Sequence, residues 1–114
     1  MMEPKRGETW LVNLDPTVGA EIRKIRPALV ISNDINNRYA DTVTLLPISD
    51  RGEKVYPFEF ALPARLCGLS KDSKVKCQQI RTVDKSRLIK KLGAIGPQEL
   101  LSIEQALLIH LGIE

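Results

Sequence analysis

Residues 21–34, EIRKIRPALVISND, read as a basic loop running into a buried strand. Arg23, Lys24 and Arg26 crowd three cations into four positions, Pro27 ends the loop, and residues 28–31 form an unbroken apolar run. A run of that kind suits a strand covered on both faces. A basic loop anchored to a rigid strand can hold a polyanion against a fixed geometry. A solvated turn before an edge strand fits the same charges, so the rest of the chain has to decide.

Upstream, residues 9–14 (TWLVNL) combine β-branched and aromatic side chains in partial alternation and predict a first strand. Asp15-Pro16 stops it, and residues 16–26, with Gly19, form a long loop. Downstream of the strand at 28–32, Asn33-Asp34 can cap a short helical turn through Tyr39. Residues 42–48 (TVTLLPI) predict a third strand, with Pro47 at an edge or a bulge. After the turn at Arg51-Gly52, residues 57–62 (PFEFAL) alternate, with Phe58 and Phe60 on one face and Glu59 on the other. Residues 73–80 predict another strand, carrying Lys74, Lys76 and Gln78 on one side and Val75, Cys77 and Gln79 on the opposite side. Residues 88–95 are either a last strand or an irregular basic segment.

The C-terminal segment has the periodicity of a helix. Pro97 suits the first helical position, Glu99 lies in the first turn, and Gly112 stops the helix. Leu100, Ile103, Leu107 and Leu111 form a stripe, which Leu101 and Leu108 widen. Glu104 falls inside that arc and Ile109 outside it, which fits either a subunit interface or a different helix phase. Several short strands and one terminal helix predict a small β-barrel, or a strongly bent sheet, with a helical appendage.

At 114 residues the chain accommodates one core, so residues 1–114 are expected to be a single domain. Its 43% hydrophobic and 27% charged residues are the balance of a globular protein. No apolar run is long enough to cross a bilayer, and the opening MMEPKRGE lacks the apolar core of a signal peptide. The expected location is cytoplasmic. Cys67 and Cys77 are expected to be free thiols. Two cysteines and one histidine give no zinc spacing, and the chain has no Walker loop or dinucleotide fingerprint, so neither a metal nor a cofactor is expected.

The net charge of +3 is modest, but its distribution is uneven. Lys71, Lys74, Lys76, Arg81, Lys85, Arg87, Lys90 and Lys91 face only Asp72 and Asp84 in that segment. Local basicity of this kind favours an anionic partner such as a phosphate backbone, and a solvated face remains open.

The lone histidine, His110, lies at the flank of the helix stripe and reads as a partly buried structural residue, which leaves no Ser-His or Cys-His nucleophile pair. One reaction needs no protein nucleophile, because RNA carries its own 2′-hydroxyl beside each phosphate. The protein then has to align the strand, move a proton and stabilise charge on the phosphoryl oxygens. A guanidinium suits the charge and a hydroxyl adds a phosphate hydrogen bond. Arg26 beside a rigid strand and Ser49 at the end of another are adequate in kind. A surface cation and a turn residue before Asp50 are the ordinary alternatives.

Residues 6–38, RGETWLVNLDPTVGAEIRKIRPALVISNDINNR, resemble the N-terminal signature of the MazF/PemK family of toxin endoribonucleases. TLLPIS (44–49) and CQQIRTVDKSRL (77–88) resemble that family's second and third motifs, in the same order and spacing. The resemblance implies a compact SH3-like β-barrel with short helices, acting as a homodimer. It implies sequence-specific, ribosome-independent and metal-independent cleavage of single-stranded RNA, leaving 2′,3′-cyclic phosphate and 5′-hydroxyl ends. It also implies a cognate antitoxin with an acidic, extended C-terminal segment, and operator DNA binding only as the toxin–antitoxin complex.

By the same resemblance, the catalytic arginine falls on Arg26 and the catalytic threonine on Ser49, which keeps the hydroxyl and lacks the methyl. The glutamine of the third motif falls on Gln79. Gln78 stands where some members have an acid, Lys76 where some have an arginine, and Ala20 where one branch has a histidine. Glu21, Arg23, Lys24, Lys76, Gln78, Gln79 and Arg81 are the expected RNA contacts. Arginine is effectively always protonated, so Arg26 is assigned to charge stabilisation, and Glu21 is the nearest carboxylate for proton transfer. Two other readings remain: a non-catalytic toxin of this fold acting on a protein such as gyrase, and a degenerate member that only binds RNA or its antitoxin.

Overall fold

The computed structural model describes residues 3–52, 54–66 and 68–114. Cys67 therefore lies outside the described residues. Strand β1 (Glu8–Asn13) pairs antiparallel with β2 (Ile25–Val30), and β2 pairs with β3 (Thr42–Asp50). β4 (Glu59–Leu62) joins β3 through β5 (Ser73–Lys76), while β6 (Arg81–Asp84) lies along the first half of β3. β7 (Leu88–Ala94) takes the other edge of β1. The order β4-β5-β3-β2-β1-β7 is an open path, so the sheet is bent and is not a closed barrel.

The apolar run of β2 is covered on both faces, as its lack of alternation predicts. Leu29 and Ile31 join Leu46, Ile48, Val75, Cys77 and the helix residues Ile103 and Ala106. Ala28 and Val30 join Trp10, Val12, Leu14, Val43, Leu45, Val83 and Leu88. Two cores share one central strand pair, and the bend of the sheet brings β1, β6 and β7 around the second. Pro47 falls between Leu45, the last β3 residue paired with β6, and Ile48, the first paired with β5. There β3 changes partner, so the missing N–H leaves no ladder position empty.

Helix α1 (Asp34–Tyr39) begins as expected, with the Asn33 side chain accepting from Asn36 N at 2.8 Å. Helix α2 (Pro97–Leu111) starts at Pro97 and ends at Gly112, whose φ of 72° is left-handed and favours glycine. Its buried residues are Ile103 and Ala106, flanked by Leu100 and Leu107. The stripe is shorter than the spacing predicts, because Leu101 and Leu111 are exposed and the small Ala106 takes the close approach. Glu104 is explained within the chain, since it meets Arg6 Nη2 at 2.7 Å. His110 is exposed, not partly buried, with its ring 6.3 Å from that of Phe58.

Three local expectations change. β2 begins at Ile25, so Arg26 and Pro27 belong to the strand and not to the loop. The strand expected over 73–80 ends at Lys76, where Cys77–Gln79 turn as one 3₁₀ segment before β6. The strand expected over 57–62 begins at Glu59, which is buried, while Phe58 and Phe60 are half-buried.

Candidate RNA-binding cleft

Arg26 and Ser49 come together because β2 and β3 run antiparallel and then part. Their ladder ends at Ala28↔Pro47, and the same register carried two residues further sets Arg26 opposite Ser49. Beyond that point β2 stays paired with β1 (Val12↔Arg26) while β3 turns to β5 (Ser49↔Lys74). A cleft of about 520 Å³ opens where the strands diverge, lined by Glu21, Arg23, Arg26, Ser49, Asp50 and Lys71, among others. The backbone around both candidate residues is therefore held in regular pairing while their side chains face the opening.

Arg26 is exposed and its Nη1 donates to the neighbouring Ile25 O at 3.2 Å. Among the described residues it has no carboxylate partner, so its guanidinium is available to an anion. Ser49 Oγ donates to Asp50 O at 3.3 Å, a long bond to its own neighbour that a phosphate oxygen can replace. Asp50 is engaged by Lys71 Nζ at 3.1 Å. Sequence reading missed Asp50 and Lys71 as cleft residues. The signals were their places beside Ser49 and in the basic segment.

The loop between β1 and β2 forms the other wall and is held at several points. Glu21 Oε1 accepts from Val18 N at 2.6 Å, closing a local turn. Lys24 has a left-handed φ of 69°, its N donates to Asp15 Oδ1 at 3.0 Å, and its carbonyl accepts from Leu14 N at 2.9 Å. Gln79 uses both ends of its amide: Oε1 accepts from Ile22 N at 2.8 Å and Nε2 donates to Ala20 O at 3.1 Å. Arg81 Nη1 donates to Leu14 O at 3.0 Å, and Arg87 Nη1 donates to the carbonyls of Asn13 and Asp15. Part of the basic segment thus shapes the loop from within.

The remaining expected contacts divide. Arg23 lines the main cleft with Arg26. Gln78, Gln79 and Arg81 line a second hollow of about 330 Å³, and Glu21 borders both. Lys24 and Lys76 border neither hollow. Gln78 Nε2 donates to Glu59 Oε2 at 2.7 Å, and Lys74 Nζ lies 3.1 Å from Glu59 Oε1. Burial pushes the Glu59 carboxyl up, but donors from Gln78, Tyr56 N and Lys74 outweigh it and hold it below its ordinary value. Glu59 anchors this corner, and no motif marked it.

A family model described as PemK-like, MazF-like toxin of type II toxin-antitoxin system matches residues 5–111. The chain belongs to that family. It is 39% identical to Endoribonuclease MazF9 of Mycobacterium tuberculosis, over 96% of this chain and 97% of that one. It is 36% identical to Endoribonuclease EndoA of Bacillus subtilis, over 96% and 95% of the two chains. The crystal structure of MazF from Deinococcus radiodurans superposes with a TM-score of 0.85 at 30% identity, covering 99% of this chain and 100% of that one. A MazE-MazF structure from the same organism gives 0.79 at 31% identity, covering all of both chains. The toxin fold expected from the sequence motifs is the fold observed. No helix among the described residues is long and apolar enough to cross a membrane.

Proposed function

We propose that this PemK-like, MazF-like chain is a sequence-specific endoribonuclease toxin that cuts single-stranded RNA in the cleft between β2 and β3. The observation that carries the reading is the placement of Arg26 and Ser49 on opposing strands at one opening. The strand's own 2′-hydroxyl oxygen bonds to the adjacent phosphorus, and the bond from phosphorus to the 5′-oxygen breaks. The products are a 2′,3′-cyclic phosphate and a 5′-hydroxyl. Arg26 stabilises the charge that gathers on the phosphoryl oxygens, and the Ser49 hydroxyl donates to one of them. One proton leaves the 2′-hydroxyl and one reaches the departing oxygen. Arg26 is a fixed cation and a poor base, so the cleft carboxylates Glu21 and Asp50 are the candidates for that transfer.

Arg23 contacts the strand in the cleft, Gln78, Gln79 and Arg81 border or shape its path, and Lys24 and Lys76 meet its phosphates outside the two hollows. Gln79 acts chiefly by holding the loop, given that both ends of its amide are engaged. The chain works in the cytoplasm as a homodimer and is restrained by an antitoxin whose acidic tail lies in the same cleft. It meets operator DNA only within that complex. The MazE-MazF complex of the Deinococcus radiodurans relative supports an antitoxin partner.

Incubation of the purified chain with a long single-stranded RNA in EDTA tests the reading. Discrete fragments with 5′-hydroxyl ends are expected, and sequencing those ends gives the cleavage motif. Intact RNA from a preparation that still arrests growth would overturn it in favour of a binder acting on a protein target.

A further inference from the structure

Lys54, Tyr56 and Phe58 form a stacked shelf that neither the reaction nor the core requires. The rings of Tyr56 and Phe58 lie 5.2 Å apart and 5° from parallel, and Lys54 Nζ sits 4.6 Å from the centre of the Tyr56 ring. Tyr56 is 41% exposed, which a ring serving the core would not be.

The shelf stands on a buried carboxylate. Glu59 Oε1 accepts from Tyr56 N at 3.1 Å, and Glu59 N donates back to Tyr56 O at 2.9 Å. Lys74 Nζ, 3.1 Å from the same Oε1, also donates to Lys54 O at 2.9 Å. Lys74 is the β5 residue paired with Ser49, so one lysine ties the shelf to the edge of the cleft. A carboxylate withdrawn from water is costly unless donors surround it. Here the donors fix a surface segment, and ordering a segment before a ligand arrives is what favours binding.

We propose that Tyr56, backed by Phe58, is a stacking site for one unpaired nucleobase of the RNA strand leaving the cleft, with Lys54 meeting an adjoining phosphate. The proposal rests on the RNA reading above. Every nucleobase presents a flat π-face, so the site binds without selecting sequence. The contact of an exposed ammonium with a ring is weak, and the lysine stem is flexible. A base therefore takes the ammonium's place over the ring, and the ammonium turns to the phosphate. An acidic peptide would satisfy Lys54 but leave the aromatic face without a partner.

Fluorescence anisotropy of a labelled, mixed-sequence 2′-O-methyl RNA of about 12 nucleotides, titrated with the full chain, tests this. The methylated sugar cannot attack its own phosphate, so cleavage does not intervene. Tyr56→Ala is expected to weaken binding roughly 5- to 100-fold with an unchanged circular dichroism spectrum, and Tyr56→Phe to retain it. Abasic substitution along the RNA should weaken binding to wild type, and the Tyr56→Ala variant should be less sensitive to it. Wild-type affinity in Tyr56→Ala would overturn the site, as would a variant that binds RNA normally but loses an acidic peptide. Should Tyr56→Ala fail to fold, a wild-type chain that binds based and abasic strands equally would also overturn it. Tyr56-dependent binding alongside uncut, unmethylated RNA would leave the shelf standing and remove the nuclease reading.

Discussion

The amide of Gln79 grips Ile22: its Oε1 accepts from Ile22 N at 2.8 Å across 57 residues of sequence. Its Nε2 holds Ala20 O at 3.1 Å, so one side chain fixes the wall of the cleft that carries Glu21 and Arg23. The two bonds make the loop an extension of the folded sheet and not a free strap. Selectivity in such a cleft depends on that wall keeping its shape.

Gln79→Ala should therefore loosen the loop more than it lowers global stability. Losing two hydrogen bonds costs about 1–3 kcal/mol locally, equivalent to roughly 5- to 150-fold faster amide exchange at Ile22. Hydrogen exchange read by NMR checks this. Unchanged protection at Ile22 would assign Gln79 a direct contact role only.

Acid should unfold the chain through its buried carboxylates. Glu8 resembles Glu59: burial pushes it up, but Lys91, Lys5 N and Trp10 Nε1 outweigh that and leave it lowered from 4.5. A carboxyl with a depressed folded pKa stabilises the fold above its unfolded value and loses that contribution as pH falls through the folded value. Urea unfolding midpoints should accordingly drop as pH is lowered from about 4.5, and drop less in Glu59→Gln. At neutral pH that substitution should destabilise by about 3–5 kcal/mol or less, since Lys74 loses its partner but keeps Lys54 O.

Cys77 should be inert in the folded chain. It is fully buried, its Sγ points to Ile103 O at 3.8 Å, and burial, aided by the charge of Glu59, pushes the thiol up to about 11. The unfolded thiol ionises near its ordinary 9.0, so stability should fall as pH rises from there towards 11. Alkylation followed by peptide mass spectrometry should find Cys77 unmodified in native protein and modified after denaturation. Rapid labelling in native protein would contradict the packing of α2 against the turn at Cys77–Gln79.

Arg6 and Glu104 should contribute unequally to docking of α2. Their ion pair, at 2.7 Å, is about one-third exposed at each end, so Glu104→Ala should cost no more than about 1 kcal/mol. Arg6→Ala should cost more, because Arg6 Nε also donates to Ile31 O at 3.0 Å and that carbonyl would lose its donor. Denaturant unfolding of both single variants and the double variant separates the two terms.

Much of the frame was legible in the residues. The unbroken run after Pro27 gave a strand covered on both faces, and Pro97 and Gly112 bounded α2 within a residue. What was not legible depended on partners distant in sequence. The alternation of KVKCQQI continues through Cys77–Gln79 without glycine or proline, so nothing local announces the 3₁₀ turn. β6, RTVD, is too short and polar to be seen except through its pairing with β3. Glu59 sat in a clean alternating strand, and nothing local marked it as a buried carboxylate. Lys74 and Gln78, 15 and 19 residues away, are what make its burial tolerable. The pairing of Arg26 with Ser49 came from the motifs and not from spacing. The register of β2 and β3 supplies a geometric reason for it.

The central claim is that Arg26 supplies transition-state charge in the cleft. The direct measurement is the cleavage rate of Arg26→Ala on single-stranded RNA in EDTA, beside its melting temperature. Arg26 is exposed, and among the described residues its side chain bonds only to Ile25 O, so its removal should leave the melting temperature within a few degrees of wild type. The rate should fall by roughly 10²–10³-fold, the loss expected for one preorganised donor. An Arg26→Ala protein that cuts RNA at the wild-type rate would contradict the account.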